Sequence, residues 1–78
     1  MAIGLEELVR RATENKALPE PPDCRAIRQN ARLPRKPLAD FVGVSETAIA
    51  QYESGTRRPR GEHLRRYAQA LSALRAVP

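Results

Sequence analysis

The sequence predicts an all-α fold, a small helical bundle, on three observations. Apolar residues recur three and four apart in successive segments, the spacing that gives a helix one buried face. The stretch from Leu38 to Gly55 holds two such segments across a turn at Gly43, the second opening on Ser45 and stopping at Gly55. At 78 residues the chain is long enough for one domain with a small core.

Leu5, Leu8, Val9 and Ala12 fall at i, i+3, i+4 and i+7, which predicts an amphipathic helix from about residue 4 to 16. Its stripe packs either on the domain behind it or on a second subunit. Residues 1–17 are therefore read as an appendage. Leu18, Pro19, Glu20, Pro21 and Pro22 follow, and three prolines in four residues predict an extended, semi-rigid connector over 18–22. The core domain is then 23–78. Asp23 is its expected N-cap, and Cys24, Ile27 and Ala31 give the first core helix its buried side. Leu33 is placed to plug the core from the turn.

Proline is tolerated in a first helical turn, where the N–H groups have no intrahelical partner, so the next helix starts at Arg35 with Pro37 inside it. Leu38, Ala39 and either Phe41 or Val42 form its apolar side, and Val44 anchors the turn. The helix from Glu46 to about Ser54 is capped by Ser45 and Gly55. Ala48, Ile49 and Tyr52 face the core. Thr56 to Arg60 is a basic loop, and from about Gly61 a last helix puts Leu64, Tyr67, Ala68 and Leu71 on one stripe.

Charge and cysteine usage narrow the function. Lys and Arg outnumber Asp and Glu by 14 to 9, and the pI near 10.4 points to an anionic partner, nucleic acid first and an acidic protein or membrane surface second. Residues 1–22 carry a net charge of −1 and residues 23–78 a net of +6. The positive charge thus lies with the helix pair. Twelve of the bases are Arg, whose planar fork suits phosphates and guanine edges. Cys24 is alone, so no intrachain disulfide or cysteine-based zinc site can form, and it is read as a small buried hydrophobe. No metal ligand set, cofactor motif or phosphate-binding Gly-rich loop is present, and the single His63 stands on a different helix from Cys24. An enzyme is not expected. With no run of roughly 20 apolar residues, the expected location is the cytosol.

The two helices across Gly43 read as a helix-turn-helix. On the second, Glu46, Thr47, Ala50 and Gln51 form a small, polar face that carries no Lys or Arg. Such side chains suit close approach to base edges.

Taken together, Ile27 and Arg28, Leu38 and Ala39, Gly43 to Ser45, Ile49, Tyr52 to Gly55, Arg58 and Pro59, and Leu64 to Leu71 resemble the Cro/CI/434-repressor-like (XRE-type) helix-turn-helix family, of lambda-repressor-like fold. The resemblance covers about residues 23–74. It implies that the helix at 46–54 enters the major groove while the preceding helix lies across the backbone. By position, the base-contacting candidates are Ser45, Glu46, Thr47, Ala50 and Gln51. Gln51 has the bidentate geometry for adenine, Glu46 can accept from cytosine N4, and Thr47 and Ala50 can meet a thymine methyl. Glu46 has a second reading, in which its charge only favours the helix N-terminus. The phosphate-contacting candidates are Arg35, Lys36, Ser54, Arg57, Arg58 and Arg60. Arg28 and Glu53 match positions that the family pairs as a structural ion pair. The sequence departs from the family pattern at Pro34, Arg35, Pro37 and Gly61.

The resemblance implies a sequence-specific regulator of transcription on double-stranded DNA, such as a small phage or mobile-element repressor, acting as a homodimer on an inverted repeat. An alternative is a protein-interaction module on the same fold, for example an antitoxin or an excisionase-like architectural protein, with Leu5, Leu8, Val9 and Ala12 meeting the partner. A neighbouring toxin gene would favour the antitoxin.

Overall fold

The structure is a computed structural model that describes residues 3–78, without the side chains of Arg11 and of residues 13–17; Met1 and Ala2, the start of the expected appendage, lie outside it. The described residues form five helices and no strand: α1 (Leu5–Ala17), α2 (Pro21–Asn30), α3 (Arg35–Val42), α4 (Glu46–Ser54) and α5 (Gly61–Arg75). α2 to α5 pack on one another, and α1 lies along α5.

The core is built from the apolar faces of four helices. Cys24 of α2, Leu38, Ala39 and Val42 of α3, Ala48, Ile49 and Tyr52 of α4, and Tyr67 and Leu71 of α5 are all buried. Leu33 and Val44 pack against this cluster from the two turns while remaining partly exposed. Of the two residues left open on α3, Val42 is the buried one. Phe41 instead stays exposed under Arg66 of α5, whose guanidinium lies 4.9 Å from the ring centroid and whose Nε donates to the Phe41 carbonyl at 2.7 Å.

α2 begins earlier than its sequence suggests. Asp23 is not the N-cap and residues 18–22 are not all connector, since Pro21 and Pro22 occupy the first turn of α2. The extended N-cap is Glu20, and its carbonyl accepts from the N–H groups of Asp23 and Cys24 at 2.9 and 3.0 Å. The physics that admits Pro37 to the first turn of α3 applies equally here, because a proline at either position forfeits no intrahelical hydrogen bond. Asp23 keeps its favourable charge inside that turn. Pro21 is also the nearest neighbour of Gly55, with its Cγ 3.5 Å from where a Cβ there would stand. The end of the proline segment is thus packed into the bundle.

Two left-handed residues shape the turns around α3. Arg32 follows α2 at φ +55°, and Leu33 N–H returns to the Arg28 carbonyl at 3.2 Å. Gly43 follows α3 at φ +88° and donates to the Ala39 carbonyl at 2.8 Å. A Cβ at Gly43 would meet nothing within 4 Å, so substitution there would strain only the backbone, by about 1–2 kcal/mol.

Candidate nucleic-acid interface

α4 is held at both ends by its own sequence. Ser45 is extended, and its Oγ accepts from Ala48 N–H at 3.1 Å. Gly55 takes the left-handed conformation at φ +80°, with its N–H directed to the Tyr52 carbonyl at 3.4 Å. Between these caps Ala48, Ile49, Tyr52 and Glu53 point inward. The helical period turns the remaining residues outward. Ser45, Glu46 and Thr47 are exposed, and Ala50 and Gln51 are half-buried on the same side. Among the described residues, Glu46 and Gln51 have no side-chain partner, so their polar groups are available to a ligand.

Glu53 fixes this helix to the bundle. Its carboxylate takes Arg28 in a bidentate grip, Oε2 from Nε at 2.5 Å and Oε1 from Nη2 at 3.1 Å. Arg28 Nη1 then donates to the Leu33 carbonyl at 2.9 Å, which ties in the turn before α3. Both side chains are almost wholly buried. A third partner joins, because Arg35 Nε lies 3.2 Å from Glu53 Oε1. One carboxylate on α4 therefore gathers guanidiniums from α2 and α3, and the cluster keeps a net positive charge.

Arg35, a candidate for phosphate contact, is thus partly committed to Glu53, with 38% of its side chain exposed. Its Nη groups carry no hydrogen bond in the described structure. Lys36 is fully at the surface, 3.5 Å from Asp40 one turn on, a pairing of little strength in water. Both stand at the N-terminus of α3.

The second basic region lies beyond α4. Ser54 Oγ donates to the Gln51 carbonyl at 3.1 Å, its oxygen accepts from Thr56 N–H at 3.4 Å, and Arg57 N–H returns to Gln51 at 3.3 Å. The loop is folded back over the end of α4, with Pro59 buried and Arg57, Arg58 and Arg60 exposed. An open groove beside it is lined by Glu7, Arg10, Arg57, Arg58, Arg60, His63 and Arg65, in which Arg10 is paired with Glu7 and Arg65 with Glu62. Arg10 and Arg65 are additions that sequence spacing did not suggest. They sit on α1 and α5, far from the loop in the chain, and only tertiary packing brings them there.

Two titratable side chains, Cys24 and Tyr67, lie in the core. The Cys24 thiol is buried and donates to the Pro19 carbonyl at 3.4 Å; burial pushes its pKa up and keeps it protonated. Tyr67 is buried beside it, its hydroxyl without a hydrogen-bond partner of good geometry, and burial pushes that pKa up as well. Its ring packs on Tyr52 at 5.2 Å between centroids. Among the described residues no group of three or more His, Cys, Asp or Glu could hold a metal ion. No helix among them is long and apolar enough to cross a membrane.

Residues 25–73 match the family described as helix-turn-helix, a span of more than half the chain. The chain belongs to the helix-turn-helix family. Its type is the XRE-type, Cro/CI-like one, a DNA-binding family, and the match runs from α2 into α5 and leaves α1 outside. In helix-turn-helix terms α3 and α4 are the pair, and α4 is the helix that such proteins place in the major groove. No curated protein and no solved structure matches the chain.

Proposed function

We propose that this helix-turn-helix protein is a sequence-specific transcriptional regulator, a repressor of the small Cro-like or mobile-element kind, that binds an inverted repeat as a homodimer. The observation that carries the reading is the arrangement on α4: a capped helix shows a small polar face with no Lys or Arg, and exposed bases lie at both ends of the motif. In this reading Ser45, Glu46, Thr47, Ala50 and Gln51 meet base edges. Arg35, Lys36, Ser54, Arg57, Arg58 and Arg60 hold phosphates, which position the protein but carry no sequence information. One recognition helix reads few base pairs, so two copies at half-sites about 34 Å apart supply the specificity. In this reading the bundle makes the DNA contacts, and no cofactor is needed.

The test is binding to DNA fragments from around its own gene over a salt series. Specific binding falls with a log–log slope of about −0.9 per phosphate neutralised and survives competitor DNA. Gln51→Ala relaxes base preference at one position in each half-site, and Arg58→Ala weakens all fragments alike. Equal affinity for every fragment would sink the proposal. A second reading, a protein-interaction module of antitoxin or excisionase type, draws on the exposed apolar stripe of α1. It requires a partner protein to raise DNA affinity or replace DNA altogether.

A further inference from the structure

Among the described residues, Arg35 is the one base of the phosphate set that an acid of another helix holds in place. Its Nε lies 3.2 Å from Glu53 Oε1 of α4, and Glu53 is buried while Arg35 remains partly exposed. Lys36 pairs with Asp40 of its own helix, and both of those side chains lie in water. Arg57, Arg58 and Arg60 are exposed, and no acid among the described residues holds them.

A guanidinium carries five N–H donors in one plane. Arg28 gives its Nε and Nη2 to the two oxygens of Glu53, and that pair already balances the charge of the carboxylate. Arg35 adds only its Nε, so its own positive charge is in excess and both of its Nη groups stay without a hydrogen bond. We propose that Glu53 is a positioning residue for DNA binding: through Nε it holds the Arg35 guanidinium so that the free Nη pair takes a backbone phosphate with two parallel hydrogen bonds. This role of Glu53 rests on the DNA-binding reading. It makes Arg35 the foremost of the phosphate anchors.

The advantage is one of order. A long side chain that is free in the unbound protein must be immobilised when it meets a phosphate, a loss of about two- to tenfold in affinity for each. Arg57, Arg58 and Arg60 bear that loss, whereas Arg35 is already in place. No acid competes in the first turn of α3, which also starts without a side-chain cap. Because Glu53 belongs to α4, one buried carboxylate fixes the phosphate anchor of α3 against the helix whose outward face meets base edges.

The substitution that separates position from charge is Arg35→Lys. Lysine has a carbon, Cε, where arginine has Nε, so the charge stays and the donor that Glu53 holds is lost. The same exchange at Arg60, which no acid holds, also gives up the planar fork, so the difference between the two reports Glu53. The probe is a short mixed-sequence DNA duplex, since phosphate contacts act on every sequence. With the full chain, Arg35→Lys should weaken binding about three- to tenfold more than Arg60→Lys does, at an unchanged salt slope. Arg35→Gln should in addition lower that slope by about 0.9. In a Glu53→Gln chain, measured cold enough to be folded, the two lysine exchanges should cost the same; if that chain does not fold, the comparison in the parent chain decides. Equal losses in the parent chain, or a difference that persists in Glu53→Gln, would overturn the role of Glu53 and leave the DNA-binding reading standing. A parent chain that binds no duplex at any salt concentration would remove both.

Discussion

The bundle of α2 to α5 and the single helix α1 carry the same kind of amphipathic pattern, yet the two use it in opposite ways. In the bundle the stripes turn inward, and Leu38, Ile49, Tyr67 and Leu71 are all but fully buried. In α1 the stripe turns outward and Glu7 faces the protein. The difference teaches that period alone fixes a helix and its apolar side but not what covers that side. Covering is decided by whether polar groups lock the helix in place. α4 has such a lock in Glu53, buried against Arg28, whereas α1 contacts α5 with its apolar residues Leu5, Leu8 and Val9 left exposed.

The contrast breaks most visibly if the lock is removed. Glu53→Ala leaves Arg28 buried without its counter-charge and frees Arg35, and should cost about 3–5 kcal/mol. At about 4–8 °C per kcal/mol for a domain of this size, that loss comes close to unfolding the bundle at moderate temperature. Thermal melting followed by the fluorescence of Tyr52 and Tyr67, the only two tyrosines, reports the bundle alone because the chain has no Trp and α1 has neither residue type. Unchanged melting would show that α4 is held by packing alone.

How far the sequence anticipates this organisation follows from the range of the interactions involved. The caps of α4 and the left-handed turn at Gly43 are legible because a Ser, a Gly and their spacing act on backbone a few residues away. The start of α2 is not, since prolines in an extended connector and prolines in a first turn have the same φ and the same missing N–H. Val42 and Phe41 are adjacent apolar residues, and only the position of α5 and its Arg66 decides which one is covered. Arg28 and Glu53 stand 25 residues apart, so local spacing gives no hint of their contact, and only the family pattern paired them. Nothing local or familial points to Arg35 as a third member, or to Arg10 and Arg65 beside the loop at 57–60. The outward face of α4 follows from the period, and the groove next to it depends on where α1 settles on α5.

A smaller change of opposite sign probes the inside of the bundle. Tyr67→Phe removes a buried hydroxyl that lacks a partner, keeps the ring against Tyr52, and should stabilise by about 1 kcal/mol. A pH series adds a sign. Burial raises the Tyr67 pKa above its usual 10.0, so its contribution is intact below that value. Above it the unfolded chain sheds a proton that the folded chain keeps, and stability falls as pH rises. Denaturant unfolding of Tyr67→Phe between pH 8 and 11 should therefore show a shallower alkaline decline. A decline as steep as that of the parent chain would assign it to other groups, with the raised Cys24 thiol the first to examine.

The smallest effect is expected on α1, and its smallness is the point of the contrast. Leu8→Ser, studied at concentrations low enough to keep the chain monomeric, alters a side chain that water already reaches. It should move the stability of the bundle by no more than about 0.5 kcal/mol. Leu71→Ala, the same residue type turned inward at 1% exposure, should cost about 2–5 kcal/mol. The two substitutions share a starting residue and a helical setting, and the helix propensities of Ser and Ala differ by only about 0.5 kcal/mol, so a larger gap between their costs reports burial. If Leu8→Ser approaches the cost of Leu71→Ala, α1 folds with its stripe covered by its own bundle. The outward face would then be no docking surface, and two regions would become one.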